Sequence, residues 1–327
     1  MQQRKLGTDG PSVGAIGLGC MSFAGAYGKI EEAEAHKTLA AALDLGVTHL
    51  DTALIYGGGV SESYIGSFIK DHPNRFTIAT KGGIITKPVR RHDNTEASLR
   101  EQLEGSLKRL GVEHVDLYYI HRRQPEIPIE DVMATMVKFK EEGKIGGIGL
   151  SEIAPYTLRR AVAVHPVMAV QNEYSLWTRL PELGLLQACA ELGTTFVSFS
   201  SVGRGIFADT MPVIDELSQG DFRRSNPRFQ EPNYSANKAI VAKFNAYARS
   251  QGMSPATMAN AWVLQKGDHV IAIPGTRSPE HLAENAAAAD TVLSQEQLAE
   301  IDLLLPVGFA YGDRYSDEQS VGPERYC

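Results

Sequence analysis

The sequence predicts an α/β fold in which eight strands alternate with helices, as a (β/α)8 barrel or a large doubly wound sheet. Eight short apolar runs rich in β-branched residues recur along the chain, and segments with helical periodicity lie between them. The length of 327 residues suits one barrel with insertions. A content of 43% hydrophobic and 22% charged residues is enough to build and solvate a large core.

The predicted strands are short, strongly apolar and bounded by glycine or polar residues. This pattern is typical of parallel strands that are buried on both faces. In chain order they cover residues 13–19, 47–51, 76–80, 115–120, 144–150, 167–171, 194–200 and 269–274.

The predicted helices show apolar residues at helical spacing and end at glycines. In the second of them, leucines recur at helical spacing, Thr95 stands at the start and Gly111 follows the last leucine. The five segments are 31–45, 96–110, 129–142, 155–164 and 181–192.

Three segments lie outside this alternation. Residues 1–12 contain a Thr8-Asp9-Gly10 turn and predict an N-terminal hairpin across the barrel bottom. Residues 202–234 form a long polar loop after the seventh strand, and residues 308–327 form a polar tail. Long loops in compact domains usually cover a site or are disordered. Since no linker is present, we expect one domain over residues 1–327.

Composition excludes several classes of protein. The net charge of −7 argues against a nucleic-acid partner, which requires a basic face. No apolar stretch reaches the roughly 20 residues that span a membrane, and the first residues do not form a signal peptide. Cys20, Cys189 and Cys327 are too few and too scattered for a disulfide framework or a zinc site. We therefore expect reduced thiols, a cytoplasmic location and no metal.

Four polar residues stand where the chemistry of a barrel lies, at the carboxyl ends of the strands. Asp51, Lys81 and His121 end the second, third and fourth predicted strands, and Tyr56 follows Asp51 in the next loop. An ammonium group beside a tyrosine lowers the pKa of the phenol, and a histidine can polarise a carbonyl oxygen. Together they predict proton transfer to a carbonyl oxygen. A Schiff-base lysine of an aldolase remains an alternative for Lys81.

Longer motifs around these residues resemble the aldo-keto reductases. They are DTALIYG (51–57), ATKGG (79–83), VDLYYIH (115–121), GKIGGIGLSE (143–152), VQNEYSLWTR (170–179) and IPGTRSPEHLAEN (273–285). The resemblance extends from about residue 4 to residue 305 and is strongest to the bacterial, yeast and plant branch that reduces miscellaneous aldehydes, some of them pyridoxal. It implies a single (β/α)8 TIM barrel.

The resemblance also implies a reaction, a cofactor and four roles. The family transfers a hydride from NADPH to an aldehyde or ketone, reversibly and without metal. By this resemblance Tyr56 is the general acid, Lys81 tunes it, Asp51 anchors Lys81, and His121 orients the carbonyl. An NADP-binding regulatory or channel-type subunit with little turnover remains the alternative function, since the family includes such proteins.

The resemblance implies an extended cofactor site along the strand ends. Ser151 and Gln171 match the residues that hold the nicotinamide carboxamide, and Glu152 stands where the family often has Asn. Tyr174 matches the aromatic residue that stacks on the nicotinamide. The whole expected set is Gly19, Met21, Asp51, Ser151, Gln171, Tyr174, Ser200, Gly203, Arg204, Gly205, Gly275, Thr276, Arg277, His281, Glu284 and Asn285.

The phosphate and adenine contacts fall on two motifs of this set. FSSVGRG (199–205) matches the family's pyrophosphate loop, with Ser and Val in place of Pro and Leu. Arg277 and His281 match the residues that bind the 2′-phosphate, and Glu284 and Asn285 match those that bind adenine.

The substrate contacts expected from the resemblance lie in loops that border the mouth. They are Tyr27, Trp177 and Arg122, the last of which is followed by Arg123. Two adjacent arginines attract a phosphate or a carboxylate, or they form a solvated surface. The expected partner is a small carbonyl compound.

Overall fold

Eight parallel strands form a closed ring in the computed structural model, which describes residues 1–326. The ring follows the order β3-β4-β5-β8-β9-β10-β11-β12, and bridges from Ile16 to Ala272 and from Gly19 to Gly275 join its two ends. This confirms the barrel and excludes the doubly wound sheet. The strands are β1 (Gln3–Lys5), β2 (Ser12–Gly14), β3 (Leu18–Gly19), β4 (His49–Asp51), β5 (Thr77–Gly82), β6 (Ile84–Ile85), β7 (Arg91–His92), β8 (Val115–Ile120), β9 (Ile145–Ser151), β10 (Ala169–Glu173), β11 (Thr195–Phe199) and β12 (Val270–Ala272).

Ten α-helices accompany the strands in residues 1–326. The five predicted helices are present, although the predicted 181–192 segment is shorter, because Gly184 at φ 100° separates a 3-10 turn from the helix. The helices are α1 (Glu32–Leu45), α2 (Val60–Ile69), α3 (Glu96–Leu110), α4 (Ile129–Glu141), α5 (Pro155–Val162), α6 (Leu185–Glu191), α7 (Asn233–Ser250), α8 (Pro255–Leu264), α9 (Pro279–Ala287) and α10 (Gln295–Leu304).

Helix α3 shows how local sequence sets these boundaries. The Thr95 side chain accepts a hydrogen bond from the Ser98 backbone N–H at the start of the helix. Gly111 adopts φ 69° at the end, a conformation that favours glycine. The leucines of the helix are buried against the core, as their spacing predicted.

Side chains alternate between the two faces of each ring strand, and this alternation produces two apolar cores. Residues such as Leu50, Val170 and Phe196 point outward and pack beneath the helices. Their neighbours Ala169 and Val197 point inward and fill the barrel. The N-terminal hairpin β1–β2 adds its own apolar side chains to this interior cluster and closes the bottom of the barrel, as predicted. The inward-pointing residues at the opposite ends of the strands therefore line the mouth.

The loop after β11 and the C-terminal tail pack over this mouth. The loop contains 3-10 turns at Gly203–Gly205, Ile214–Glu216, Phe222–Ser225 and Pro227–Phe229. It reaches the segment after β3, where the Phe222 N–H donates to the Ala26 carbonyl over 3.1 Å. The tail meets the loop at the Arg314 carbonyl, which accepts from Arg204 Nη1 over 3.1 Å and from Asn226 Nδ2 over 2.6 Å. The two predicted extra segments thus form one cover.

Two remaining expectations concern the thiols and the membrane. Cys20 and Cys189 are buried and free, and Cys327 lies outside the described residues. Among the helices of residues 1–326, none combines enough length with enough apolar surface to cross a lipid bilayer.

Candidate active site

Four predicted residues meet at the mouth of the barrel. Asp51 ends β4, Lys81 lies in β5, His121 follows β8, and Tyr56 begins a 3-10 turn after β4. Lys81 Nζ donates to Asp51 Oδ1 and, over 2.8 Å, to the Thr52 carbonyl. The same Nζ lies 5.2 Å from the centroid of the Tyr56 ring. The Tyr56 and His121 rings stand nearly perpendicular, with centroids 5.9 Å apart. The four residues, which come from separate sequence motifs, therefore lie close together at the mouth.

The electrostatics of Tyr56 correct one expectation. Burial raises the pKa of the Tyr56 phenol, Asp51 raises it further, and Arg122 opposes both. The sequence argument assigned a lowered pKa to the influence of Lys81. That lowering does not dominate, because burial raises the pKa most and the Asp51 carboxylate offsets the Lys81 charge in a buried ion pair. A phenol with a raised pKa is protonated at neutral pH, which is the form that a proton donor requires.

His121 is held in its neutral form. Burial lowers the pKa of His121 well below its usual range, and the nearby positive charges of Arg122, Lys81 and Arg90 lower it further. The ring is 6% exposed, and its Nδ1 is buried without a hydrogen-bond partner among residues 1–326. Nε2 is the ring atom left to face the mouth, so a neutral imidazole protonated there can donate to a substrate oxygen.

Gln171 and Ser151 lie beside these four residues on β10 and β9. Gln171 Nε2 donates to Asp51 Oδ2 over 2.6 Å, which leaves its Oε1 free to accept. Ser151 Oγ accepts from Arg122 Nη1 over 3.2 Å, and its hydroxyl proton can still be donated. An amide oxygen and a hydroxyl on adjacent strands suit a carboxamide ligand, as the sequence predicted.

The structure corrects the prediction for Tyr174. Its side chain points outward from the end of β10 and is fully buried in the outer core. The ring packs against Phe196 and Trp262 at centroid distances of 5.8 and 5.4 Å, and its hydroxyl donates to Glu182 over 2.7 Å. Tyr174 cannot reach the mouth from this position, because it follows the inward residue Glu173 by one step.

Phe199 is the aromatic residue that the sequence argument missed. It ends β11 two residues after the inward residue Val197, and it packs against the interior cluster while remaining partly exposed. Its ring therefore lies at the mouth. Strand parity was the signal that distinguished it from Tyr174.

Glu152 and Arg204 use their side chains to hold the cover. Glu152 adopts φ 56°, and its carboxylate accepts two hydrogen bonds from Arg314 and one from the Glu173 N–H. Arg204 Nη2 donates to Glu173 Oε2 over 2.8 Å, and both side chains are 4% exposed. The Arg204 side chain is therefore engaged by Glu173, which leaves the backbone of Arg204 as the part that can contact a cofactor.

The backbone after β11 fits an anion. Ser200, Gly203, Arg204 and Gly205 have φ values of 54°, 58°, 57° and 96°. Within residues 1–326, the backbone N–H groups of Ser201, Val202 and Arg204 donate to no acceptor. Ser201 Oγ is also buried without a partner in that range. Successive free N–H groups in such a turn form an anion-binding nest, which is the property that a pyrophosphate requires.

The two remaining predicted glycines, Gly19 and Gly275, meet beyond the end of β12. Gly275 bridges to Gly19, where a Cβ would lie 2.7 Å from the Ile273 carbonyl oxygen. Thr276 is buried, and its carbonyl accepts from Ser22 Oγ over 2.8 Å. Met21 lies next to Ser22 in a 3-10 turn. This junction places the backbone of both strand ends at the rim.

The predicted adenosine contacts lie just before helix α9 and along it. Arg277 is exposed, and its Nη1 donates to the Gly28 and Lys29 carbonyls over 2.9 and 2.7 Å. Asn285 is 4% exposed, and its Oδ1 accepts from Asn260 Nδ2 over 2.9 Å. His281 is exposed one turn before the half-buried Glu284.

The predicted substrate contacts separate into two groups. Tyr27 is half-buried beneath the Arg223 guanidinium, which lies 5.1 Å from its ring centroid. Trp177 is 6% exposed and stacks on Phe229 at 5.6 Å, so it supports the cover from below and its prediction is corrected. Arg122 is half-buried beside Ser151 at the mouth.

A family model described as "Aldo/keto reductase family" matches residues 15–306. The chain belongs to the aldo/keto reductase family. The relative named "Probable aldo-keto reductase 1" from Glycine max is 40% identical over 319 residues, which is 96% of this chain and 92% of that protein. "Aldo-keto reductase yakc [NADP(+)]" from Schizosaccharomyces pombe is 39% identical and covers 95% and 94% of the two chains.

Solved structures agree with this family and with the barrel. A glycerol dehydrogenase from Gluconobacter oxydans superposes with a TM-score of 0.84 at 28% identity and covers 93% of this chain and 94% of that one. An aldo-keto reductase from Klebsiella pneumoniae in complex with NADPH gives 0.75 at 25% identity, with coverage of 94% and 96%. The predicted family is thereby confirmed. The Lys81 amine is fully buried and is bonded to Asp51 and to the Thr52 carbonyl. This disfavours the aldolase alternative for this aldo/keto reductase.

Proposed function

We propose that this aldo/keto reductase is an NADPH-dependent carbonyl reductase in which Tyr56 protonates the oxygen of an aldehyde or ketone. The observation that supports this most is the buried Lys81–Asp51 ion pair beneath Tyr56, with the neutral His121 ring across from the phenol. NADPH, when bound, supplies the hydride to the carbonyl carbon. The reverse reaction oxidises an alcohol with Tyr56 as the base.

The residues at the rim suit NADPH in their chemistry and in the order in which they would meet the parts of the cofactor. Gln171 and Ser151 would hold the carboxamide, and the free N–H groups of Ser201, Val202 and Arg204 would hold the pyrophosphate. Arg277 would contact the 2′-phosphate with the donors that the Gly28 and Lys29 carbonyls leave free. The printed NADP(+) in the name of the S. pombe relative and the NADPH complex of the K. pneumoniae relative support this cofactor.

Two side chains would act on the bound carbonyl compound, and a third would hold the nicotinamide ring. Tyr56 donates a proton, and His121 Nε2 donates a hydrogen bond that polarises the oxygen. Phe199 provides an apolar face on which the nicotinamide ring would rest. The strand ends hold these groups in fixed positions, which lowers the entropic cost of reaching a reactive geometry.

The expected setting is cytoplasmic, with a small carbonyl compound as the partner and no nucleic acid. Free, buried thiols at Cys20 and Cys189 support a reducing compartment. The net charge of −7 supports the absence of a nucleic-acid partner.

The decisive experiment is Tyr56→Phe, tested with NADPH and a panel of aldehydes that includes pyridoxal. We expect turnover to fall by about 10³-fold or more, since general acid catalysis contributes about 10²- to 10⁴-fold. NADPH binding, followed by fluorescence titration, should persist.

The matched control is Tyr119→Phe. Tyr119 also lies near Lys81, with its ring centroid 5.7 Å from Nζ, but its hydroxyl is buried without a partner among residues 1–326. This variant should keep its turnover. Full activity in Tyr56→Phe would remove Tyr56 from the mechanism, and tight NADPH binding without turnover in the wild-type protein would favour the regulatory-subunit alternative.

A further inference from the structure

Arg122 combines a fixed position with free donors at the mouth of the barrel. It directly follows His121, and its Nη1 donates to the His121 carbonyl over 2.6 Å and to Ser151 Oγ over 3.2 Å. The tail approaches its stem closely, because a Cβ on Gly322 would lie 3.2 Å from Arg122 Cδ. Its Nε and Nη2 have no hydrogen-bond partner in residues 1–326, yet neither is a fully buried atom. These donors therefore face open space.

The charge of Arg122 is also uncompensated, unlike that of its neighbours. Within residues 1–326, no carboxylate lies within 4 Å of the Arg122 guanidinium. Four neighbouring cations each pair with a carboxylate: Lys81 with Asp51, Arg204 with Glu173, Arg314 with Glu152, and Arg123 with Glu324.

Further positive charge lies on the neighbouring β6–β7 hairpin. Arg90 is exposed there and has no carboxylate within 4 Å among the described residues. His92 is half-buried, and a Cβ on Gly322 would lie 2.5 Å from its Cε1, so the same tail residue meets both His92 and Arg122. The mouth thus has surplus positive charge in a protein whose net charge is −7.

We propose that Arg122 binds an anionic group, a carboxylate or a phosphate, on the carbonyl substrate. This inference rests on the proposed reductase function and adds the class of its substrate. A guanidinium with free Nε and Nη2 donors suits two parallel hydrogen bonds to such a group. The position next to His121 places the anion near the reacting carbonyl. Aldehydes and ketones that contain a carboxylate or phosphate are therefore the preferred substrates.

The test compares matched aldehydes with and without a charge. 4-Carboxybenzaldehyde is paired with 4-nitrobenzaldehyde, and glyceraldehyde 3-phosphate with glyceraldehyde, so that the two pairs distinguish a carboxylate from a phosphate. The wild-type holoenzyme should show a higher kcat/KM for the charged member of at least one pair. In Arg122→Gln that preference should fall by about 10- to 100-fold, mainly through KM, as expected for lost hydrogen bonds to a charged group. Arg122→Lys should give an intermediate value.

The control is Arg91→Gln, because Arg91 is exposed on the same hairpin and lies 3.9 Å from Asp93. It should keep the wild-type preference. Equal kcat/KM values within both pairs for the wild-type enzyme would overturn the inference alone. A parallel loss for charged and neutral aldehydes in Arg122→Gln, together with weaker NADPH binding, would also overturn it and would show that Arg122 only positions Ser151. Failure to oxidise NADPH with any of the four aldehydes would overturn the proposed function and this inference with it.

Discussion

Replacing Arg314 with methionine should release the C-terminal tail from the mouth of the barrel. Arg314 donates two hydrogen bonds to the Glu152 carboxylate and lies 3.6 Å from Glu173 Oε2. The Glu152 side chain is 1% exposed and that of Glu173 is 4% exposed. After the substitution these two buried carboxylates share one neighbouring cation, Arg204, which pairs with Glu173.

The magnitude follows from the burial of the pair. Removing one partner of a buried ion pair costs about 3–5 kcal/mol, because the remaining charge stays buried and uncompensated. Arg314 is 18% exposed, so water reaches part of the site, and we expect the lower end, about 3 kcal/mol. Glu152→Gln in the same chain should recover about half of this loss. The amide removes the buried charge, and its oxygen can still accept from the Glu173 N–H, which lies 2.8 Å from Glu152 Oε1.

The loss should also depend on pH. Burial raises the pKa of Glu152, but the charge and hydrogen bonds of Arg314 outweigh burial and lower it overall. In the wild-type protein the stabilisation by ionised Glu152 is present above its usual pKa and is lost as the pH falls through the lowered value. Without Arg314, burial is the largest influence that remains and raises the pKa of Glu152, so the carboxylate takes up a proton at a higher pH than in the wild-type protein. The difference between the two proteins should therefore shrink from pH 7 to pH 5.

Two measurements separate local from global effects. Urea unfolding followed by fluorescence of Trp177 and Trp262 gives the free energy of unfolding, and hydrogen exchange of residues 308–326 gives the protection of the tail. We expect protection to fall before global unfolding begins and to fall most near Arg314, because other hydrogen bonds, such as that of Glu324 with the Ala154 N–H, still hold the far end of the tail. Unchanged protection and stability in Arg314→Met, or a double variant no more stable than Arg314→Met, would refute the reasoning.

Two further predictions concern the buried His49 and the partly exposed Phe199. His49 is buried, and neither of its ring nitrogens has a hydrogen-bond partner in residues 1–326. Burial lowers its pKa, so below about pH 6.5 the unfolded chain binds a proton at this residue that the folded protein excludes. The free energy of unfolding therefore falls by up to about 1.4 kcal/mol for each unit by which the pH drops. His49→Leu should therefore lose less stability than the wild type between pH 7 and pH 5.5 in urea unfolding, and an identical slope would contradict this. Phe199→Ala should weaken NADPH binding about 5- to 10-fold in a fluorescence titration through a lost stacking contact of about 1 kcal/mol, whereas Tyr174→Phe should leave it unchanged. Equal effects of both variants would argue against the aromatic assignment.

The sequence predicted the elements whose signals are local. Apolar runs marked the ring strands, and the Thr95 cap and Gly111 stop bounded α3. Helix α8 was missed because all ten of its residues are buried, and a helix that is apolar on every side shows no amphipathic period. Helix α7 was also missed, although only its first two residues, Asn233 and Tyr234, lie in the predicted loop 202–234.

In the candidate site, too, residues in local motifs were predicted, whereas contacts between distant residues were not. The four residues of the tetrad lie in motifs close to strand ends, and the chain brings them together as expected. The ion pairs of the cover join residues 31 and 162 positions apart, Arg204 with Glu173 and Arg314 with Glu152, and no local pattern indicates them. The exchange of Tyr174 for Phe199 was avoidable, because counting alternate residues from Gln171 places Tyr174 on the outer face.

Strand β10 shows why this parity matters for the reaction. Its inward residue Gln171 donates to Asp51 in the tetrad, and its next inward residue, Glu173, accepts from Arg204 in the anion-binding loop. A strand rises about 3.3 Å per residue, so these two contacts start about 7 Å apart on one rigid face. The backbone of β10 therefore fixes the spacing between the contact to Asp51 and the contact to Arg204. A cofactor held by this loop would meet a tetrad already in position, which is the condition under which preorganisation lowers the barrier.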